Sequence, residues 1–133
     1  TDSGTMNKQS TTTQTGSGFA WQFTVSSANR ISTYPLWMRL ASVAVAANSL
    51  VTITAYMKKD HATNVGCGLR VRGGVLTGVP NEVLVTKTND TSWELLTLTF
   101  TPTQIGVIDV ESLAWYVSGT SNCYVDTLSI SQP

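Results

Sequence analysis

The sequence predicts an all-β domain folded as a two-sheet antiparallel β-sandwich of about eight strands, and three observations support this prediction. Short segments alternate between apolar and polar residues with a period of two, which is the period of a half-buried strand. Thr and Ser are abundant while Lys and Glu are sparse, a bias that favours sheet over helix. Turn-forming residues separate the segments at fairly regular intervals, and no helical period is visible.

The strand pattern is clearest in the last third of the chain. Leu98 and Phe100 have the same parity and are expected on the inner face of one strand. Pro102 ends that strand because it has no N–H group for the next hydrogen bond. Two further strands, at residues 106–118 and 122–130, are separated by a Gly-containing turn, so we predict that they form an antiparallel hairpin.

A change of parity marks the long strand in the first half of the chain. Leu36, Met38 and Leu40 have one parity, whereas Ala41 and Val43 continue the apolar pattern on the other. A β-bulge near Leu40 and Ala41 would return both sets to the same face, since a bulge inserts one extra residue into a strand. The sequence therefore predicts a bulge at this point.

A later strand shows the same change of parity. Ile108 and Val110 have one parity, and Leu113 and Trp115 have the other. If a second bulge produces this change, Trp115 belongs to the core and Tyr116 faces outward.

The chain divides into a polar N-terminal segment and one folded domain. Residues 1–18 are mostly Thr, Ser, Gly, Gln and Asn and contain too little apolar surface to offset their ordering entropy. We therefore predict a flexible arm or linker over residues 1–18. Residues 19–133 are enough for one sandwich and too few for two domains.

Composition and motifs exclude several classes of function. Eight basic and eight acidic residues cancel, which predicts neither a nucleic-acid partner nor an anionic membrane partner. No run of 18 apolar residues is present. The single histidine, His61, lies in a polar loop, and no nucleophile elbow, phosphate loop or dinucleotide fingerprint occurs. Asp109 and Glu111, roughly 6–7 Å apart by strand geometry, could form an acid–base pair, but such alternation is also ordinary on an exposed strand. The sequence predicts that the domain is not an enzyme.

The two cysteines allow two interpretations. Cys67 alternates with Val65 and Leu69, which is the pattern of a small core residue. A disulfide with Cys123 requires Cα atoms within about 7 Å, a distance that the sequence does not provide. Two cysteines and one histidine are too few for a zinc site.

Three segments resemble one known type of domain: LVTITAYMKK at 50–59, WELLTLTFTP at 93–102 and YVDTLSI at 124–130. They are similar to the jelly-roll modules of the carbohydrate-binding, galactose-binding-like superfamily, and the resemblance covers residues 19–130. It implies a jelly-roll sandwich. By analogy, such domains are appended to polysaccharide-degrading enzymes or occur on phage capsid surfaces and fibres.

The resemblance also raises the question of whether Asp126 binds a metal ion. In sugar-binding members, the Asp of the final strand often joins an N-terminal acidic cluster around a structural calcium. This chain departs from that pattern, because Asp2 is the only carboxylate before Asp60. A carboxylate bonded to backbone N–H groups is therefore favoured over a calcium ligand, and no other cofactor is predicted.

A candidate binding face follows from the strand parities. Sugar sites on a sandwich need exposed aromatic rings and a few polar groups. Two arginines in a domain with only 12% charged residues suggest a partner, either a glycan or the acidic surface of a neighbouring subunit. The predicted face contains Trp37, Arg39, Tyr56, Arg70, Arg72 and either Tyr116 or, in the absence of the second bulge, Trp115.

Two functions agree with these features. The first is a non-catalytic display or binding module on a virion surface, as a capsid-decorating or fibre domain. It would contact other virion subunits or a second copy of itself and could also bind host glycans. The alternative is a carbohydrate-binding module attached to a secreted polysaccharide-active enzyme. Both place the domain on a virion surface or outside the cell.

Overall fold

A computed structural model describes residues 6–16, 18–26, 36–76 and 82–133, and these residues form nine β-strands and no helix. The predicted all-β fold is confirmed. The strands are β1 (Met6–Gln9), β2 (Ala20–Val25), β3 (Leu36–Val45), β4 (Val51–Lys59), β5 (Val65–Arg72), β6 (Glu82–Thr86), β7 (Glu94–Phe100), β8 (Gly106–Tyr116) and β9 (Ser121–Ser131).

The strands form two antiparallel sheets packed face to face. The five-stranded sheet has the order β1-β2-β9-β4-β7, and the four-stranded sheet has the order β3-β8-β5-β6. Alternate residues of both sheets point inward and exclude water, which is the main source of stability in a sandwich. The largest buried apolar side chains include Phe23, Leu36, Ile53, Met57, Leu69, Leu96 and Ile108.

The predicted hairpin of the last two strands is wrong. β8 pairs with β3 and β5, whereas β9 pairs with β2 and β4, so the two strands belong to different sheets. Gly119, with a φ of 65°, lies in the connection and allows the chain to reverse there. A turn signal predicts a reversal of the chain, but it does not say whether the chain returns in the same sheet.

The predicted bulge in β3 is confirmed. Arg39 pairs with Glu111 and Ala41 pairs with Val110, so Leu40 is the extra residue. The bulge returns the second half of β3 to the core parity, and the two halves of the strand cover the same core.

The second predicted bulge, in β8, is absent. The pairing of β8 with β5 runs without a shift from Val65 opposite Tyr116 to Arg72 opposite Asp109. Trp115 therefore points to the outer face of the four-stranded sheet, and Tyr116 packs against the core. Leu113 and Trp115, the apolar residues of changed parity in β8, thus lie on the outer face. The prediction that Trp115 is a core residue and Tyr116 an outward one is therefore wrong.

The polar N-terminal segment contributes a strand that the sequence does not predict. Met6–Gln9 pairs with β2 at the edge of the five-stranded sheet, so the sandwich begins before residue 19. Pairing at an edge uses backbone groups, which gives no alternation of apolar side chains to read. Residues 1–5 and 17 lie outside the described residues.

A disulfide joins the two sheets through the core. Cys67 of β5 and Cys123 of β9 are bonded, with their Cα atoms 6.0 Å apart, and both residues are buried. The sequence left this pairing open because it gives no distance between strands of different sheets.

The remaining connections are described only in part. The predicted loops include residues 27–35 and 77–81, which lie outside the described residues. Within the described ranges, no helix is long and apolar enough to cross a membrane.

Candidate functional site

The outer face of the four-stranded sheet carries most of the predicted binding residues. Residues directly opposite each other in antiparallel strands point to the same face, and Leu69, Val71 and Val110 of these strands point into the core. The alternate residues therefore form the outer face. One row consists of Arg39, Glu111, Arg70 and Leu84, and the next consists of Trp37, Leu113, Gly68 and Thr86.

Two glycines provide the support for an aromatic ring on this face. Trp115 of β8 lies opposite Gly66 of β5. A Cβ atom placed on Gly66 would lie 3.1 Å from Trp115 Cε3, and one placed on Gly68 would lie 3.0 Å from Trp115 Cη2. The indole therefore lies across two backbone positions that have no side chain, and it is half-buried there. The Gly-x-Gly pattern beside an outward Trp is the sequence feature that could have identified Trp115.

Arg70 and Arg72 both bind a carboxylate of the same chain. Glu111 Oε1 accepts a hydrogen bond from Arg70 Nε at 2.7 Å and lies 2.6 Å from Arg70 Nη2, and Glu111 Oε2 accepts a hydrogen bond from Arg72 Nη2 at 2.7 Å. Glu111 is fully buried although it lies on the outer side of the sheet. The predicted external partner of the two arginines is replaced by this internal carboxylate, 41 and 39 residues away along the chain.

An aromatic contact covers the buried carboxylate. The guanidinium carbon of Arg72 lies 5.3 Å from the centroid of the Trp37 ring, a distance typical of a cation–π contact. Arg72 belongs to β5 and Trp37 to β3, the two strands that flank β8. Their contact therefore crosses above Glu111, which explains how a carboxylate on the outer side of the sheet is shielded from water.

A second ion pair lies at the edge of this face. Arg39 Nη2 is 3.5 Å from Asp109 Oδ2, and Ser42 Oγ donates a hydrogen bond of 2.6 Å to Asp109 Oδ1. Asp109 and Glu111, which the sequence offered as an acid–base pair, are thus bound to separate arginines. Since Glu111 is also shielded, this arrangement does not expose two carboxylates to one substrate.

The structure does not bring all the predicted residues together. Trp37, Arg39, Arg70 and Arg72 lie on the outer face of the four-stranded sheet. Tyr56 belongs to β4 of the five-stranded sheet, where it pairs with Leu95 and Asp126 on the opposite side of the sandwich. Its parity is outward as predicted, but parity alone does not assign a strand to a sheet.

Asp126 has protein hydrogen-bond partners. Its Oδ2 accepts a hydrogen bond from the backbone N–H of Gln14 at 2.9 Å, and its Oδ1 accepts one from Thr127 Oγ1 at 3.2 Å. The contact with Gln14 attaches the segment after β1 to β9. Among the described residues no group of three or more His, Cys, Asp or Glu side chains is placed to hold a metal. The preference for a bonded carboxylate over a calcium ligand at Asp126 stays a prediction.

Two buried lysines lie near the connection between β6 and β7, away from the outer face. Lys59 Nζ donates hydrogen bonds to Val65 O at 3.1 Å and Asn89 Oδ1 at 2.9 Å. Burial lowers the pKa of Lys59, and the nearby charge of Lys87 lowers it further. Lys87 Nζ is bound by Asp90 Oδ1 at 2.9 Å. These contacts hold the loop to the sandwich and suggest no chemistry.

Comparison with known proteins gives the fold of the chain. The structure is similar to a carbohydrate-binding module of family 4, with a TM-score of 0.56 and 12% sequence identity over 86% of this chain and 84% of that one. It is also similar to a family 61 module solved with β-1,4-galactotriose, with a TM-score of 0.54 and 15% identity over 86% of this chain and 71% of that one.

A family 16 module aligns with a TM-score of 0.51 and 20% identity over 84% of this chain and 76% of that one. No protein-family model and no curated protein sequence matches the chain. The chain therefore has the jelly-roll fold of carbohydrate-binding modules, which confirms the resemblance noted in the sequence. At these identities the similarity establishes the fold alone.

Proposed function

We propose that this domain is a non-catalytic glycan-binding module whose ligand lies on the outer face of the four-stranded sheet. The observation that carries the proposal is the Trp115 indole, which lies against the backbone of Gly66 and Gly68 and is half-buried there. The apolar face of a sugar ring stacks on such an aromatic plane, and polar groups around it fix the hydroxyls. Arg72, with 45% of its side chain exposed, and Asp109, with 36%, lie six residues from Gly66 and Trp115 along β5 and β8, about 20 Å by the strand rise. They are therefore candidates for contacts with a further sugar unit of the same glycan chain.

Two further observations support this proposal. The fold is that of modules that include a galactotriose-bound structure, although the likeness itself assigns no ligand. The carboxylates of the outer face are bound to arginines, an arrangement that suits recognition better than hydrolysis. We propose the non-catalytic role for this domain only.

Replacing Trp115 tests the site. Stacking a sugar ring covers about 60 Å² of indole surface, worth about 1.5 kcal/mol at 25 cal/mol per Å², so Trp115→Ala is expected to weaken binding by about tenfold or more. Affinity electrophoresis in gels that contain soluble neutral polysaccharides measures the change. Tyr56→Ala, which removes an aromatic ring from the opposite sheet, is the matched control and is expected to bind normally. Equal binding by the wild type and a folded Trp115→Ala variant would contradict the proposal.

The biological setting is proposed in two forms. The Cys67–Cys123 bridge suits an oxidising environment, and the domain is proposed to act outside the cell. In the first form it is a virion-surface domain, as capsid decoration or fibre, in contact with other virion subunits or a second copy. In the second it is a module attached to a secreted polysaccharide-active enzyme.

The outer face of the five-stranded sheet favours the first form. It pairs Thr52 with Thr99 and Ser131, and Thr54 with Thr97 and Ser129, so it has two uncharged hydroxyl rows. These two rows, which lie apart from Asp126 and Lys58 of the same face, can pack on another subunit without removing ions from water. Light scattering after gel filtration at high concentration tests this form: a defined oligomer supports it, whereas a monomer that binds polysaccharide favours the attached module.

A further inference from the structure

Arg70 and Arg72 form an anion-binding pair whose occupant belongs to the protein itself. Their side chains converge on both oxygens of Glu111, each through a hydrogen bond of 2.7 Å. Guanidinium groups recognise any carboxylate in this way, including the carboxylate of a uronic acid. Without Glu111, Arg72 would lose its anionic partner and Arg70 would keep only the longer contact with Glu82, at 3.8 Å, which leaves one unbalanced positive charge on the proposed glycan face.

We propose that Glu111 determines the specificity of this face by occupying the position that the carboxylate of an acidic sugar would otherwise take. The face then rejects acidic glycans and accepts neutral ones. This inference rests on the proposed function, because it assumes that the outer face binds a glycan.

The charge balance of the face agrees with this role. Within the four strands, three cationic and three anionic side chains point outward, and each of them has an oppositely charged partner within 4 Å. The face therefore has no net charge to attract a polyanion. The six residues are Arg39, Arg70, Arg72, Glu82, Asp109 and Glu111.

The burial of Glu111 makes its exchange for a ligand unfavourable. A ligand carboxylate that captured Arg70 and Arg72 would leave Glu111 without a cation at a site where it is fully buried. An unpaired buried charge is strongly destabilising, so the internal ion pair is expected to resist competition. The contact between Arg72 and Trp37 also limits access from above.

Glu111→Gln tests the role of the charge because it keeps the size of the side chain, removes the anionic partner of Arg72 and leaves Arg70 only its longer contact with Glu82. Binding of polygalacturonate and of a neutral galactan is measured by affinity electrophoresis and calorimetry, with the wild type beside the variant. Glu111→Gln is expected to gain about ten- to hundredfold in affinity for polygalacturonate, the range expected for a new charge-assisted hydrogen bond. The gain is expected to fall steeply with added salt.

Asp109→Asn is the matched control. It makes the same change of charge on the same face and strand, but Asp109 pairs with Arg39 rather than with the Arg70–Arg72 pair. A gain in Glu111→Gln that is small in Asp109→Asn supports the proposal, and equal gains in both variants overturn it, because net charge alone would then explain them. Thermal melts verify that both variants are folded.

Two outcomes for the wild type separate this inference from the proposed function. If the wild type binds polygalacturonate more tightly than galactan, the role of Glu111 is overturned while glycan binding stands. If the wild type binds no glycan, the proposed function fails, and the polygalacturonate affinity of Glu111→Gln still decides whether Glu111 blocks an anion site.

If Glu111→Gln does not fold, the salt dependence of galactan binding by the wild type tests the proposed role of Glu111. With the charges of the face already paired, galactan binding is expected to change less than twofold between about 50 mM and 500 mM salt. A steep loss of affinity over that range overturns the inference, because it would show that unpaired charges of this face contact the ligand.

Discussion

Removal of the bridge between Cys67 and Cys123 is expected to lower the free energy of unfolding by about 4 kcal/mol, from the loop-closure entropy of a cross-link between residues 56 apart. Domains of this size have about 5–15 kcal/mol of stability in total, so the loss is a large fraction. The effect arises mainly in the unfolded chain, which samples more conformations once β5 and β9 are no longer joined. The native fold is expected to persist, because the bridged core is also packed by apolar residues from both sheets.

The cleanest comparison uses one sequence in two oxidation states. Urea unfolding is followed by tryptophan fluorescence for the oxidised protein and for protein reduced with dithiothreitol while unfolded and then refolded in the reductant. This comparison leaves the core atoms almost unchanged, whereas a Cys67→Ala/Cys123→Ala variant would add a cavity cost. A difference below about 1 kcal/mol would refute the reasoning, because it would mean that the bridge hardly restricts the unfolded chain.

Three further predictions concern single sites. Gly66→Ala introduces a Cβ atom 3.1 Å from Trp115 Cε3 and is expected to displace the indole, shift its fluorescence and weaken glycan binding in a folded protein; unchanged binding would contradict the supporting role of this glycine. The hydrogen bond from the Ser92 hydroxyl, followed by that from Lys87, lowers the pKa of Asp90 below its ordinary value of 3.8. The stabilisation from Asp90 is therefore present above pH 3.8 and lost as the pH falls further, so Asp90→Asn is expected to reduce stability at pH 7 and to flatten its decline below pH 4 in urea titrations. Equal melting temperatures in calcium and in a chelator are expected, because Asp126 is bonded to the backbone of Gln14; a rise with calcium would instead reveal a metal site.

The two changes of apolar parity show what a sequence pattern can and cannot determine. In β3 the change comes from a bulge at Leu40, as predicted. In β8 the same pattern has another cause, because Leu113 and Trp115 lie on the outer face of a regular strand. Periodicity reports that apolar residues occur on both faces, and only the pairing with β5 shows which cause applies.

The binding face could be predicted only in part, because parity gives the direction of a side chain but not the sheet to which its strand belongs. Parity placed Trp37, Arg39, Arg70 and Arg72 outward, and the structure groups them on one sheet. The assignment of strands to sheets depends on crossings between the layers, which local sequence does not encode, and Tyr56 was therefore misplaced. The pairing of the arginines with Glu111 depends on contacts about 40 residues apart, so the sequence suggested an external partner where the structure has an internal one.

Resolved indole N–H signals in a glycan titration test the central claim most directly. The chain has four tryptophans, and two of them, Trp37 and Trp115, lie on the proposed face, whereas Trp21 and Trp93 lie in other strands or connections. In ¹⁵N–¹H spectra recorded during titration with a soluble neutral galactan or glucan oligosaccharide, the signals of Trp37 and Trp115 are expected to shift with saturation while those of Trp21 and Trp93 stay in place. Shifts confined to Trp21 or Trp93, or no shift at any tryptophan of the folded protein, would contradict a glycan site on the outer face of the four-stranded sheet.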